Sequence, residues 1–189
     1  MRIAGRPQQS AKRPGWPSGV SSRLVIKLSG RHPMSASVLV SSWEETRERA
    51  RTIRYSVFVQ EQGVPAELEW DDMDAASWHA LAFAEDGTPV ATGRLLPDGH
   101  IGRMAVLKSA RGTGMGARVL DALMAKAAEL GYPRLILNAQ THAEPFYARV
   151  GFERDGKEFE EAGIPHIEMQ KRLVRRAVAT DRQTRKPRK

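Results

Sequence analysis

Seven consecutive residues, Arg111-Gly112-Thr113-Gly114-Met115-Gly116-Ala117, constrain this chain more tightly than any other stretch. They lie between an apolar, strand-like run ending at Leu107 and the strongest helix signal in the sequence. From Gly114 to Leu130, the residues Leu120, Leu123, Met124 and Ala127 recur at i, i+3, i+4 and i+7, and Gly131 supplies a C-terminal stop. Alternate glycines let the backbone turn with its N–H groups exposed, and those donors meet the positive end of the helix dipole. A strand, such a loop and a helix together make a seat for phosphate or pyrophosphate, to which Arg111 can add charge-assisted contacts.

Three readings of the loop compete. A Walker A loop is rejected because no Gly-Lys-Ser/Thr follows. A dinucleotide fingerprint is satisfied by Gly112, Gly114 and Ala117 as G-x-G-x-x-A. That reading calls for an acid at the end of the next strand, where this chain has Asn138-Ala139-Gln140. The third reading is a glycine turn that binds nothing, and the loop alone does not decide against it.

The rest of the chain supplies the frame. Ser37–Val40 predicts a strand, and Ser42 with Glu45 an S-x-x-E capping box that opens a helix to about Phe58, with Ala50, Ile53 and Val57 on one face. Gly63-Val64-Pro65 ends that region, and a loop carrying Glu67, Glu69, Asp71, Asp72 and Asp74 follows. Trp78–Ala84 and Pro89–Leu96 predict a hairpin around Glu85-Asp86-Gly87, and Pro97-Asp98-Gly99 turns the chain into a further strand, Ile101–Leu107. After the long helix, Leu135-Ile136-Leu137 lacks alternation, which suits a strand buried on both faces. Glu144–Val150 predicts a short helix stopped by Gly151, and Phe152–Phe159 and Ile164–Gln170 predict closing strands joined through Gly163. The order is β-α-β-β-β-α-β-α-β-β, a single mixed α/β domain with a central βαβ unit and a parallel strand pair.

Charge bears on partners once its position is known. The chain of 189 residues has a formal net charge of +8, which by itself suggests nucleic acid. Residues 1–34 hold seven basic side chains and no acid, and residues 171–189 hold nine basic groups against one acid. Residues 35–170 hold fourteen basic against twenty-one acidic side chains, so the domain itself is acidic. The expected division is a basic, disordered extension over 1–34, a domain over 35–172 and a basic tail over 173–189. Met34 is an alternative start for the chain, and an Arg- and Ser-rich leader the competing explanation of 1–33. Leu24-Val25-Ile26, broken by Lys27, is too short for a membrane span. Absence of cysteine excludes disulfides, thiolate metal sites and a cysteine nucleophile. The five histidines show no ligand spacing, so no metal site is predicted.

The segment Arg111–Gly116 resembles the R/Q-x-x-G-x-G/A signature of the GCN5-related N-acetyltransferase family, placed after the fourth strand of that fold. Leu137-Asn138-Ala139-Gln140, followed by Phe146-Tyr147 and Gly151-Phe152, is similar to a second block of the family. Val57–Gln62, the acidic loop and Gly163-Ile164-Pro165-His166 resemble its bacterial ElaA/YjcF-like branch. The resemblance covers about residues 38–172.

The resemblance implies an acyl-CoA N-acyltransferase fold, acetyl-CoA as cosubstrate, and transfer of acetyl to a primary amine of a small molecule or peptide by direct attack on the thioester. Acetyl-CoA would lie between splayed parallel strands. Main-chain groups of Met104, Ala105 and Val106 would pair with the pantetheine arm, and the N–H groups of Arg111, Gly112, Thr113, Gly114, Met115, Gly116 and Ala117 would hold the pyrophosphate. Tyr147 falls at the family's general-acid position; otherwise it is a core tyrosine beside Phe146 and Phe152. Asn138 either bonds the pantetheine or ties down the strand. His79 and His166 are candidate bases, each also open to a purely structural role, and Glu69 and Asp74 are acidic candidates from the loop. Arg103 either contacts an acidic group or faces solvent. A cytoplasmic protein and a homodimer go with the same resemblance. The competing function is a non-catalytic module on this fold that binds acyl-CoA, or docks its basic tails on nucleic acid, which the acidic domain disfavours.

Overall fold

A computed structural model describes residues 23–27 and 37–173. Nine strands and four helices alternate as β1 (Leu24–Lys27), β2 (Ser37–Ser42), α1 (Trp43–Arg54), α2 (Ala66–Glu69), β3 (Trp78–Phe83), β4 (Pro89–Leu95), β5 (Ile101–Val106), α3 (Met115–Glu129), β6 (Arg134–Gln140), α4 (Glu144–Ala148), β7 (Glu153–Arg154), β8 (Phe159–Glu161) and β9 (Ile164–Arg172). The first five strands form an antiparallel sheet in chain order, and β6, β9 and β7 form a second, with β8 also on β9.

The first sheet is covered on both faces. Trp78, Ala80 and Ala82 of β3 join Val38 and Val40 of β2 against Val119, Leu120 and Leu123 of α3. Leu81 and Ala105 point the other way, toward Ala50, Ile53 and Val57. This alternation follows the two-residue period of a strand. The apolar stripes expected on the two helices are the ones that pack.

α1 departs from expectation at both ends. Ser42 has extended N-cap geometry, yet its side chain makes no capping bond. Ser41 Oγ instead donates to Glu45 Oε2 at 2.5 Å, and Thr46 Oγ1 to the Ser42 carbonyl at 2.8 Å, so the capping box does not form. Beyond Arg54 the helix widens into a π-helical segment, Tyr55–Glu61, a form that recurs at functional sites.

The βαβ unit forms, but parallel contact between β5 and β6 is limited to one bridge, His100↔Ile136. Past it the strands diverge, and a cleft opens where the sheet would otherwise continue. β6 is not buried on both faces: Leu135 and Leu137 are buried while Ile136 is partly open, because no second layer covers the cleft side. The single strand expected over Phe152–Phe159 is two short ones, interrupted where Gly156 adopts φ 93°.

The boundary at residue 35 also needs correction. Leu24–Lys27, assigned from sequence to a disordered extension, pairs with β2 from Leu24↔Val40 to Lys27↔Ser37, and Leu24 packs on the core. An exposed sheet edge offers unpaired backbone groups, and a short apolar segment satisfies them. Residues 1–22, 28–36 and 174–189, with Met34 and twelve of the sixteen basic residues of the two ends, lie outside the described residues.

Candidate active site

The cleft encloses a cavity of about 880 Å³ between the π-helical segment, β5, the end of β6, α4 and the β8–β9 turn. Its geometry begins with a β-bulge. Thr92 pairs with Ala105 and Arg94 with Gly102, so β5 carries one residue more than β4 between these points. Arg103 takes up the excess with φ 52°, an uncommon value for a side-chain-bearing residue. Opposite the bulge stands Gly93, where a Cβ would meet Met104 Sδ at 2.5 Å and Val119 Cγ1 at 2.8 Å. Met104 and Val106 line the cavity, whereas the Ala105 side chain is buried against α1. Met104 and Val106 thus border the cleft, while Ala105 faces the α1 side of the sheet.

At one end of the cleft lies the glycine loop. Gly112 and Gly114 have φ 77° and 84°, and a Cβ at Gly116 would press Val106 Cγ2 at 3.3 Å. Thr113 Oγ1 braces the turn on the Ala110 carbonyl at 2.7 Å. α3 starts at Met115, so the first-turn N–H groups, including those of Met115, Gly116 and Ala117, have no intrahelical partner. Arg111 behaves differently from its expected role. Its guanidinium is held by Glu61 through two 2.6 Å bonds, and its Nε–H donates to the Val106 carbonyl at 3.1 Å. The pairing holds Glu61 below the usual carboxylate range and raises Arg111 further. Sequence reasoning missed Glu61 because its partner is remote in the chain.

The middle of the cleft carries Tyr147, Asn138 and His166 on its wall. Tyr147 is buried, edge-on to Phe146 and Phe152, and burial pushes its phenol up to about 12. The ring of Tyr147 is thus part of the core, and the residue also borders the cavity. Asn138 is exposed, its Nδ2 3.5 Å from Glu161 Oε2. His166 stacks on Phe159, and its Nδ1 lies 2.8 Å from the Ile164 carbonyl. A carbonyl only accepts, so the neutral ring carries its proton on Nδ1 and leaves the Nε2 lone pair free. His100, which sequence reasoning passed over at a turn, also lines the cavity, with Nδ1 3.0 Å from Asp98 Oδ2.

Two other candidates are engaged by neighbouring side chains and backbone. His79 does not line the cavity; it is buried, tilted on the Trp43 ring at 4.6 Å, with Nε2 2.9 Å from the Asp74 carbonyl. Burial holds it down to about 4, so it is neutral at ordinary pH and out of reach of a substrate. Glu69 borders the cavity but is committed to Arg54, whose Nε–H donates to Oε1 at 2.5 Å and whose Nη2 donates to the Glu69 carbonyl at 2.6 Å. Burial nevertheless raises Glu69, against the pull of Arg54 and then Arg103.

Three carboxylates of the acidic loop, Glu69, Asp71 and Asp74, are turned inward, while Glu67 and Asp72 stay exposed. Asp74 Oδ1 accepts from Arg54 at 2.8 Å and Arg94 at 2.7 Å, and Asp71 accepts from Arg94 at 2.6 and 3.0 Å. Arg103 approaches Asp71 Oδ2 at 3.2 Å and Glu69 Oε2 at 3.5 Å. Three arginines thus face three carboxylates, and the charges of Glu69, Asp71 and Asp74 are balanced within the cluster. One signal in the sequence marks this network. Arg54 follows Ala50 by four residues on the buried stripe of α1, where only a paired charge is stable. Among the described residues no group of three or more His, Cys, Asp or Glu is arranged to hold a metal ion.

Comparison with known proteins agrees with this geometry. The family model for the acetyltransferase (GNAT) domain matches residues 44–173. The uncharacterized N-acetyltransferase YjcF of Bacillus subtilis (strain 168) is 43% identical over 138 residues, which cover 70% of this chain and 97% of YjcF. An acyl-CoA N-acyltransferase from Pseudomonas aeruginosa superposes with a TM-score of 0.65 at 30% identity, covering 72% of this chain and 99% of that one. Escherichia coli ElaA superposes at 0.63 with 27% identity, covering 70% and 97%.

Proposed function

The chain belongs to the acetyltransferase (GNAT) family, with its acyl-CoA N-acyltransferase fold, and from that premise we propose that it transfers acetyl from acetyl-CoA to a primary amine by direct attack on the thioester. The observation that carries this reading is the cleft itself: two strand edges diverge from a single bridge, with a glycine loop and helix start at one end and Tyr147 in the wall. Backbone edges of Met104–Val106 and of β6 suit the amides of a pantetheine arm. The donors of the loop and of the first turn of α3 suit a pyrophosphate.

In the reaction the amine nitrogen bonds to the thioester carbon, the C–S bond breaks, and the amine proton must leave. Tyr147 is the hydrogen-bond donor and proton source for the departing sulfur; a phenol raised to about 12 stays protonated at every pH the enzyme meets. His166, whose neutral tautomer bonded to the Ile164 carbonyl turns the Nε2 lone pair outward, is the acceptor for the amine proton, directly or through water. Cytoplasmic action goes with an acetyl-CoA substrate. No helix among the described residues is long and apolar enough to cross a membrane.

Tyr147→Phe tests the assignment. Loss of a general acid costs about 10²- to 10⁴-fold in kcat, while the acetyl-CoA-induced rise in melting temperature persists. Release of free CoA with an amine panel is the assay. A variant within threefold of wild type removes Tyr147 from the mechanism, and absence of any acetyl-CoA-induced shift at millimolar concentration removes the reading altogether.

A further inference from the structure

The cleft also carries information about its acceptor, in the unequal treatment of its arginines. Arg54 and Arg94 are each held by three short bonds of 2.5 to 3.0 Å to carboxylates and a carbonyl, although the Nε of Arg94 is covered and makes none. Arg103 is held less closely. A guanidinium has five N–H donors, and here only Nη2 is engaged, at 3.4 Å to the Leu68 carbonyl and 3.2 Å to Asp71. Its Nε is covered yet makes no hydrogen bond, and the nearest carboxylate to it, Glu69, stands at 3.5 Å. Both neighbouring acids are already taken at shorter range, Glu69 by Arg54 and Asp71 by Arg94. Arg103 is the most weakly engaged guanidinium of the cluster, a quarter exposed, and it lines the cavity.

Its backbone makes the placement specific. With φ 52° at the β5 bulge, Arg103 occupies a sparsely populated conformation that persists only where its surroundings fix it. A bulge re-aims a side chain, and this one sets a guanidinium on the cavity wall, with Leu68 and Ile101 also in the lining.

Resting on the acetyltransferase reading, we infer that the acceptor is an amino-carboxylate, a compact primary amine whose carboxylate is bound by Arg103. The carboxylate takes the donors that Asp71 and Glu69 leave unsatisfied, and the amine is thereby directed toward the thioester. Arg103 is a specificity-determining residue in this scheme, and a polyamine without an anionic group is a poor acceptor.

The test uses the full chain, acetyl-CoA, and matched L-amino acids and their carboxamides, which differ in the anion and little in size, with rates compared per neutral amine. The wild type favours the acid over the amide by about 10- to 100-fold in kcat/KM, the range of a charge-assisted pair. Arg103→Gln brings that ratio near one, and Arg103→Lys, which keeps charge and loses the fork, falls between. A purely structural role would lower both acceptors together and leave the ratio alone. A wild-type ratio near or below one, or a ratio that survives Arg103→Gln, overturns the inference. So does a panel in which no amino-carboxylate is acetylated while acetyl-CoA still raises the melting temperature, and that result leaves cofactor binding standing. If acetyl-CoA produces no shift, the acetyltransferase reading falls first and this one with it.

Discussion

His79 is the residue for which structure and sequence part most sharply, and its burial has a measurable consequence. Folding lowers its pKa from 6.5 to about 4, chiefly by desolvation, with the Arg94 and Arg54 charges adding to it and Asp74 opposing. A histidine depressed by folding binds a proton more readily in the unfolded chain. Above pH 6.5 it is neutral in both states and contributes nothing to the pH dependence. As pH falls below 6.5 the unfolded state gains the proton first, so stability declines, and the decline ends once pH passes about 4. Between pH 7.5 and 5.0 that histidine alone removes about 2 kcal/mol, equivalent to about 4–8 °C in Tm for a domain of this size. His79→Gln provides the comparison, since an amide nitrogen can keep the bond to the Asp74 carbonyl without titrating. Urea unfolding of both proteins at the two pH values cancels the carboxylates they share. The wild type loses about 2 kcal/mol more than the variant on acidification. Equal losses refute the buried, neutral assignment, and a hundredfold drop in kcat for His79→Gln at pH 7.5 would return the residue to catalysis.

Two further predictions concern the cleft. Gly93→Ala places a Cβ 2.8 Å from Val119 Cγ1 and 2.5 Å from Met104 Sδ; the thioether can move and the valine cannot, so the urea midpoint drops by an amount corresponding to about 1–3 kcal/mol, and an unchanged midpoint contradicts the packing. Glu61→Gln releases Arg111 from an exposed pair toward the glycine loop, so acetyl-CoA binds roughly two- to fivefold tighter at low salt, with the gain vanishing at high salt. Weaker or unchanged binding shows that Arg111 serves only as a brace.

What was legible in the sequence was local. The glycine loop, the stripe Leu120–Ala127, the stop at Gly131 and the hairpin turn at Gly87 each depend on a few adjacent residues, and each formed where expected. Arg111 and the acidic loop were misjudged because their partners lie far along the chain: Glu61 for Arg111, and Arg54, Arg94 and Arg103 for the carboxylates. Charge counting placed an acidic domain around the site, and pairing engages three of the five acids of the loop with arginines. β1 was missed because four residues between Pro- and Ser-rich segments carry no periodicity of their own; only the edge of β2 makes them a strand.

Beyond the single His100↔Ile136 bridge, β5 and β6 each present one unpaired side, and both sides turn inward. Open strand edges are ordinarily a hazard, because they recruit a neighbouring chain and seed aggregation. Recessed in a cleft, these edges are shielded from another protein's strand while remaining accessible to a thin, amide-bearing molecule. The same divergence that creates room for a ligand therefore also acts as a filter on what may complete the sheet.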